Sequence, residues 1–238
     1  MSREGFMART SEGERAAHDL FLRRMAACGV PFEDACAYAA GNAEAVRLDA
    51  AVRPYRFVCP GDVISVGSTT LRVIDTAGHT ADHRALYDER RGLLFSGDHV
   101  LFDVAPSVDA YPGARDGLGM YVANLHAMCD LPVRVAFPGH GDAIRQGFAE
   151  RACTIAQKKM RRCKRALYAV QECPGLTGAA LARRVFARRT LEQWQALPPL
   201  SRYYFLLEAF VCLQHLYVQG RIERMLGSDG VWRYVVCR

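Results

Sequence analysis

The sequence predicts an α/β fold in two parts, a mixed α/β layer over residues 1–150 and a small α+β module over 151–238. Three observations predict it. Between about 52 and 150 the apolar pattern breaks into short strand-like runs separated by Gly- and Pro-containing turns. From about 150 the pattern returns to helical spacing and ends in an Asp-Gly hairpin signal at Asp229-Gly230. The charge also divides. Residues 151–238 carry 16 Lys and Arg against 5 Asp and Glu, leaving 15 basic and 20 acidic residues of the chain's 31 and 25 for residues 1–150. A basic second part suggests an anionic partner surface such as nucleic acid, or attraction between the two parts.

The elements follow in order. Ser11-Glu-Gly-Glu14 resembles a capping box. Ala17, Leu20, Phe21, Met25 and Cys28 then recur at helical spacing up to Gly29. Pro31 opens a second, alanine-rich helix up to Ala40. Arg56–Val58, Val63–Val66 and Thr70–Ile74 are strand candidates, punctuated by Pro60-Gly61-Asp62 and Gly67-Ser68. Leu86-Tyr87 and Leu93–Ser96 flank the charged turn 88–92, residues 115–130 look helical, and Val133–Phe137 is a β-branched run ending at Pro138-Gly139. Glu150–Gln171 is one basic helix. Thr177 caps a second helix, Gly178–Arg188, and Ser201 caps a third, Arg202–Gln219. Arg221–Leu226 and Val231–Cys237 close the chain as a hairpin.

Composition excludes several classes. No apolar run approaches the roughly 18–20 residues of a membrane-spanning helix, and the charged N-terminus has no signal-peptide core. Nine scattered cysteines, odd in number and with no C-x-x-C pair, argue against a zinc ribbon or a disulfide framework. They suit free thiols in a reducing cytoplasm, where the sequence places this protein.

Three segments carry chemistry: Thr76-Ala-Gly-His79-Thr-Ala-Asp-His83, Leu94-Phe-Ser-Gly-Asp98 and Phe137-Pro-Gly-His140-Gly-Asp. Each sets an imidazole or a carboxylate on a glycine turn after an apolar run, where strand ends collect ligands. A hydrolytic zinc site needs such donors and one open position for water. A single Gly-His is more often a packed or surface residue; the ordered series of three is specific.

From about Val58 to Ile144 these segments resemble the second half of the metallo-β-lactamase superfamily's metal site. The resemblance implies an αββα sandwich, with His79 as a ligand of the first metal, Asp98 bridging two metals and His140 a ligand of the second. It implies a supporting role for His83 beside the ligands, and packing for His99. His18, His126 and His215 sit in helical patterns and read as structural or surface residues. The C-terminal helices and hairpin resemble the winged-helix domain of the lactamase-β-2-like branch. In that family an H-x-H-x-D-H loop precedes these segments, and this chain contains none. The expectation is therefore an incomplete sandwich, with a true start upstream of Met1 or a degraded copy. Zinc is the first cofactor expected, then iron or manganese. A complete member holds two ions; here one weakly held ion or none is expected, with little hydrolysis.

The function so implied is hydrolysis of an ester, thioester or phosphodiester by metal-bound hydroxide, impaired in this chain. The alternative is a non-catalytic remnant binding nucleic acid or protein through its basic winged helix. Lys158, Lys159, Arg161, Arg162, Lys164 and Arg165 cluster on one helix, and a solvated face is their ordinary meaning. The third helix is too apolar to read a DNA groove and suits a core, an interface or a homodimer. Helices 11–48 are expected to lie beside the cleft.

Overall fold

The computed structural model describes residues 11–41, 56–108 and 116–237. In chain order the elements are α1 (Ser11–Ala27), α2 (Phe32–Gly41), β1 (Val63–Val66), β2 (Thr69–Asp75), β3 (Arg84–Asp88), β4 (Leu93–Gly97), α3 (Gly117–Cys129) and β5 (Val135–Pro138). Then come α4 (Phe148–Glu172), β6 (Leu176–Thr177), α5 (Gly178–Leu181), a π-helical turn (Ala182–Ala187), α6 (Leu191–Gln195), α7 (Pro199–Val218), β7 (Ile222–Leu226) and β8 (Trp232–Val236). They form two compact units. The first holds described residues 56–108 and 117–160; the second holds 11–41, 116 and 161–237.

The first unit is a five-stranded sheet in the order β1-β2-β3-β4-β5. Its first three pairings are antiparallel and β4 runs parallel to β5. A parallel neighbour needs a crossover, and α3 lies on that connection. The ladder places Tyr87, Leu94 and Ala136 side by side on one face. All three are buried, as are Ala85 and Ser96 of the same face. Leu86, Phe95 and Phe137 share the other face, where the Phe95 and Phe137 rings stack at 4.9 Å and Phe95 stays 41% exposed. Among the described residues this unit therefore has one sheet, with one face closed and the other partly open.

Two local expectations change. Residues 56–59 are irregular, and the Cys59 N–H bonds the Asp62 carboxylate at 2.8 Å, inside the turn. The short helix α6 was not anticipated, although Thr190-Leu-Glu-Gln193 is a capping-box signal. Thr190 accepts from the Gln193 N–H while the Gln193 side chain accepts from the Thr190 N–H. The capping-box expectation at Ser11 and Glu14 lies outside the described side chains.

The described N-terminal residues 11–41 belong to the second unit. There Met25, Val30, Ala35 and Tyr38 share one core with Ala182, Ala187, Trp194, Leu206, Ala209 and Phe210. The reason is apolar complementarity. The stripes of α1 and α2 each need a partner, and α7 supplies one through Leu206, Ala209 and Phe210. Arg202 pins the arrangement, pairing with Asp34 at 2.9 Å while lying over the Tyr38 ring. Thr177 caps α5 by accepting from the Ala180 N–H, and β6, β8 and β7 form a three-stranded antiparallel sheet. The boundary between the units falls within α4, about ten residues beyond the 150/151 division expected from the sequence.

Candidate functional site

Strand ends position the three predicted donors. β4 and β5 are parallel neighbours, so their C-terminal turns emerge side by side. The Gly139 N–H donates to the Gly97 carbonyl at 2.9 Å, tying the Asp98 turn to the His140 turn. Gly97 adopts φ +51, and a Cβ there would lie 2.6 Å from His83 Nε2. A Cβ on Gly139 would collide with the Asp98 carboxylate. Gly97 thus leaves room for the His83 ring and Gly139 for the Asp98 carboxylate.

His79 arrives from β2. The Asp75 carboxylate accepts from the Ala77 N–H at 3.0 Å, shaping the turn, and Asn124 on α3 donates to the Ala77 carbonyl at 2.9 Å. Gly78, at φ +148, abuts Tyr121 so closely that a Cβ would sit 2.5 Å from the tyrosine Cβ. His79 Nδ1 lies 2.9 Å from the Ser107 carbonyl. A carbonyl only accepts, so Nδ1 carries the proton and donates. This directs Nε2 at Asp98, whose Oδ2 is 3.6 Å away. On the other side His140 Nε2 lies 3.5 Å from Asp98 Oδ1. The structure thus brings His79, Asp98 and His140 together, each imidazole facing a different carboxylate oxygen.

His83 stands behind this row. Its Nε2 accepts from the Asp98 backbone N–H at 3.2 Å, so its Nδ1 donates to the Thr76 hydroxyl at 2.7 Å. Burial, then His79 nearby, pushes its pKa down to about 4, which keeps the ring neutral for both bonds. His99 is fully buried, stacked on His83 and edge-on to Tyr121. Burial, then His83, holds it down at about 3. Tyr121 donates its hydroxyl to the His99 carbonyl at 2.7 Å, and Arg151 on α4 donates to the carbonyls of Leu101 and Val104, each at 2.7 Å. These bonds brace the segment after Asp98.

Thr76, Ser107, Tyr121, Asn124 and Arg151 escaped sequence reading. Tyr121, Asn124 and Arg151 act on backbone carbonyls from helices, Ser107 acts through its own carbonyl, and no spacing rule reports either. His18 and His126 are exposed, and His215 pairs with Asp116 at 2.8 Å.

The arrangement bears on metal binding. The Asp98 Oδ1 atom is buried without a hydrogen-bond partner, so an acceptor oxygen stands uncompensated between imidazole nitrogens. Two ligands on one tetrahedral zinc sit about 3.3 Å apart, close to the two N···O separations seen here. The donor types and spacing suit zinc, but the count falls short. Each oxygen of Asp98 faces one imidazole, where a catalytic zinc takes three protein ligands. Among the described residues no group of three or more His, Cys, Asp or Glu could hold a metal ion.

The basic helix is partly consumed within the protein. Lys159 is buried, Arg162 pairs with Glu208 at 2.6 Å, and Arg165 donates to the Val185 carbonyl. No helix among the described residues is long and apolar enough to cross a membrane.

Known proteins resemble this chain in sequence and fold. It is 28% identical over 139 residues to a "Beta-lactamase-like protein 2 homolog" of Caenorhabditis elegans, covering 58% of this chain and 44% of that protein. It is 38% identical over 87 residues to "Thioesterase pkgB" of Emericella nidulans, covering 37% and 24% respectively. The chain thus spans less than half the length of these curated relatives. The structure of a beta-lactamase domain protein from Burkholderia ambifaria superposes with a TM-score of 0.77 at 26% identity, over 100% of this chain and 64% of that one. A metallo-beta-lactamase family protein from Thermus thermophilus superposes with a TM-score of 0.74 at 24% identity, over 98% and 68%, and shares the fold. The family model of the metallo-beta-lactamase superfamily matches residues 16–140, and the chain belongs to that superfamily.

Proposed function

We propose that the chain carries one half of a hydrolase's two-metal centre, with Asp98 as the shared carboxylate and His79 and His140 as one imidazole for each position. The observation behind this reading is the pair of separations from the two Asp98 oxygens, 3.6 Å to His79 and 3.5 Å to His140. His83 orients Asp98 through its backbone N–H, and the Ser107 carbonyl sets the His79 tautomer. The substrate class proposed is an ester or thioester; its support is similarity to a relative described as a thioesterase.

Such a half site binds zinc weakly and hydrolyses little without further ligands. Calorimetric titration of the purified chain with zinc tests this. The expected result is at most one ion, with a dissociation constant weaker than about 10 µM. Tight, stoichiometric uptake of two ions overturns it.

The order α4–β6–α5–α6–α7–β7–β8, with the three strands in one antiparallel sheet, supports the winged-helix reading. The internal partners of Arg162 and Arg165, and the burial of Lys159, favour a structural role for α4 over phosphate contact. A gel-shift assay at low salt decides: no shift is expected, and a salt-sensitive shift revives the binding-module alternative.

A further inference from the structure

Cys129 ends α3 and Cys153 lies in the second turn of α4, and their sulfurs approach to 2.9 Å. Both thiols are free and half-buried, so a small reagent can reach them. Elsewhere on the same two helices sit the braces of the candidate site. α3 carries Tyr121 and Asn124, which hold the His99 and Ala77 carbonyls. α4 carries Arg151, which holds Leu101 and Val104.

We propose that Cys129 and Cys153 form a reversible disulfide that locks α3 to α4, the two helices that carry these braces. The oxidant is a small-molecule disulfide of the glutathione class. One cysteine thiolate attacks a sulfur of the reagent, forming a mixed disulfide and releasing one thiol. The second thiolate attacks the protein sulfur of that bond, closing the cross-link and releasing the other thiol. Two S–H bonds and one S–S bond are lost; one protein S–S bond and two reagent S–H bonds form. The pair supplies two electrons to the reagent and its protons pass to the released thiolates.

Burial, then the neighbouring Cys153, pushes the Cys129 thiol up to about 12. Exchange is therefore slow at neutral pH, and the bond behaves as a lock set over long exposure rather than as a rapid sensor. Cys129 already donates to the Leu125 carbonyl at 3.2 Å, so its side chain is held in place before it reacts.

The test is prolonged incubation of the full chain with oxidised glutathione, followed by intact mass and peptide mapping. The expected product has lost two hydrogens and yields a linked peptide containing Cys129 and Cys153. Its thermal midpoint rises by roughly 5–10 °C over the reduced chain. Cys153→Ser abolishes both changes, and Cys129→Ala serves as the second variant should the first fold poorly. Lasting glutathione adducts on either cysteine, linkage through any other pair, or no mass change overturns the proposal.

Discussion

Two histidine–aspartate arrangements in this molecule differ in how they use their lone pairs. In the second unit His215 Nδ1 meets Asp116 Oδ2 at 2.8 Å, and Gln219 adds a contact to the same oxygen at 3.4 Å. That pair is closed: donor and acceptor are matched, and both side chains are largely buried. In the first unit His79 and His140 stop 3.5–3.6 Å from Asp98, outside hydrogen-bonding range, and Asp98 Oδ1 has no partner. A structural pair consumes its own lone pairs. In the ligand role proposed above, His79 keeps its Nε2 lone pair aimed at the gap beside Asp98, its far nitrogen bonded to the Ser107 carbonyl.

The largest expected effect is acid sensitivity centred on the first arrangement. His83 and His99 are held down at about 4 and about 3, against about 6.5 when unfolded. Below about pH 6.5 the unfolded chain binds protons that the folded chain refuses, so stability present above that pH is lost as pH falls towards 4. Urea unfolding of the metal-free chain in a chelator should show a loss of roughly 3–5 kcal/mol between pH 7 and about 4.5. A flat profile would mean that the rings behind Asp98 are not kept neutral.

Gly78→Ala comes next. It forces a side chain onto φ +148 and into Tyr121, and should cost about 3 kcal/mol in denaturant unfolding. A loss under about 1 kcal/mol would show that the His79 turn is not wedged against α3. Asp116→Ala strips the closed pair and should cost about 1–3 kcal/mol by the same measurement. Asp98→Ala should change stability by less than about 0.5 kcal/mol, or raise it, because it removes an uncompensated buried oxygen. Equal losses for Asp116→Ala and Asp98→Ala would erase the contrast between the two arrangements.

Much of the site was legible because its donors sit on turns with strong local chemistry. Thr-Ala-Gly-His79, Ser-Gly-Asp98 and Pro-Gly-His140 announce strand ends, and the strands before them form near their predicted positions: β2 at Thr69–Asp75, β4 at Leu93–Gly97 and β5 at Val135–Pro138. The hairpin at Asp229-Gly230 was legible for the same reason. The placement of α1 and α2 was not. An amphipathic helix specifies that one face must be covered, and leaves open which of several apolar surfaces covers it.

The sequence by itself determined the donor types, their order and the glycines at their turns, since those depend on backbone conformation within a few residues. It also determined that no H-x-H-x-D-H loop lies in this chain. Only the tertiary structure decided that β4 and β5 run side by side, that each Asp98 oxygen faces a different imidazole, and that His215 closes on Asp116. The 2.9 Å approach of Cys129 to Cys153 belongs there too. The two last pairings join residues 24 and 99 positions apart, and such contacts are set by how whole elements pack, which no local pattern encodes.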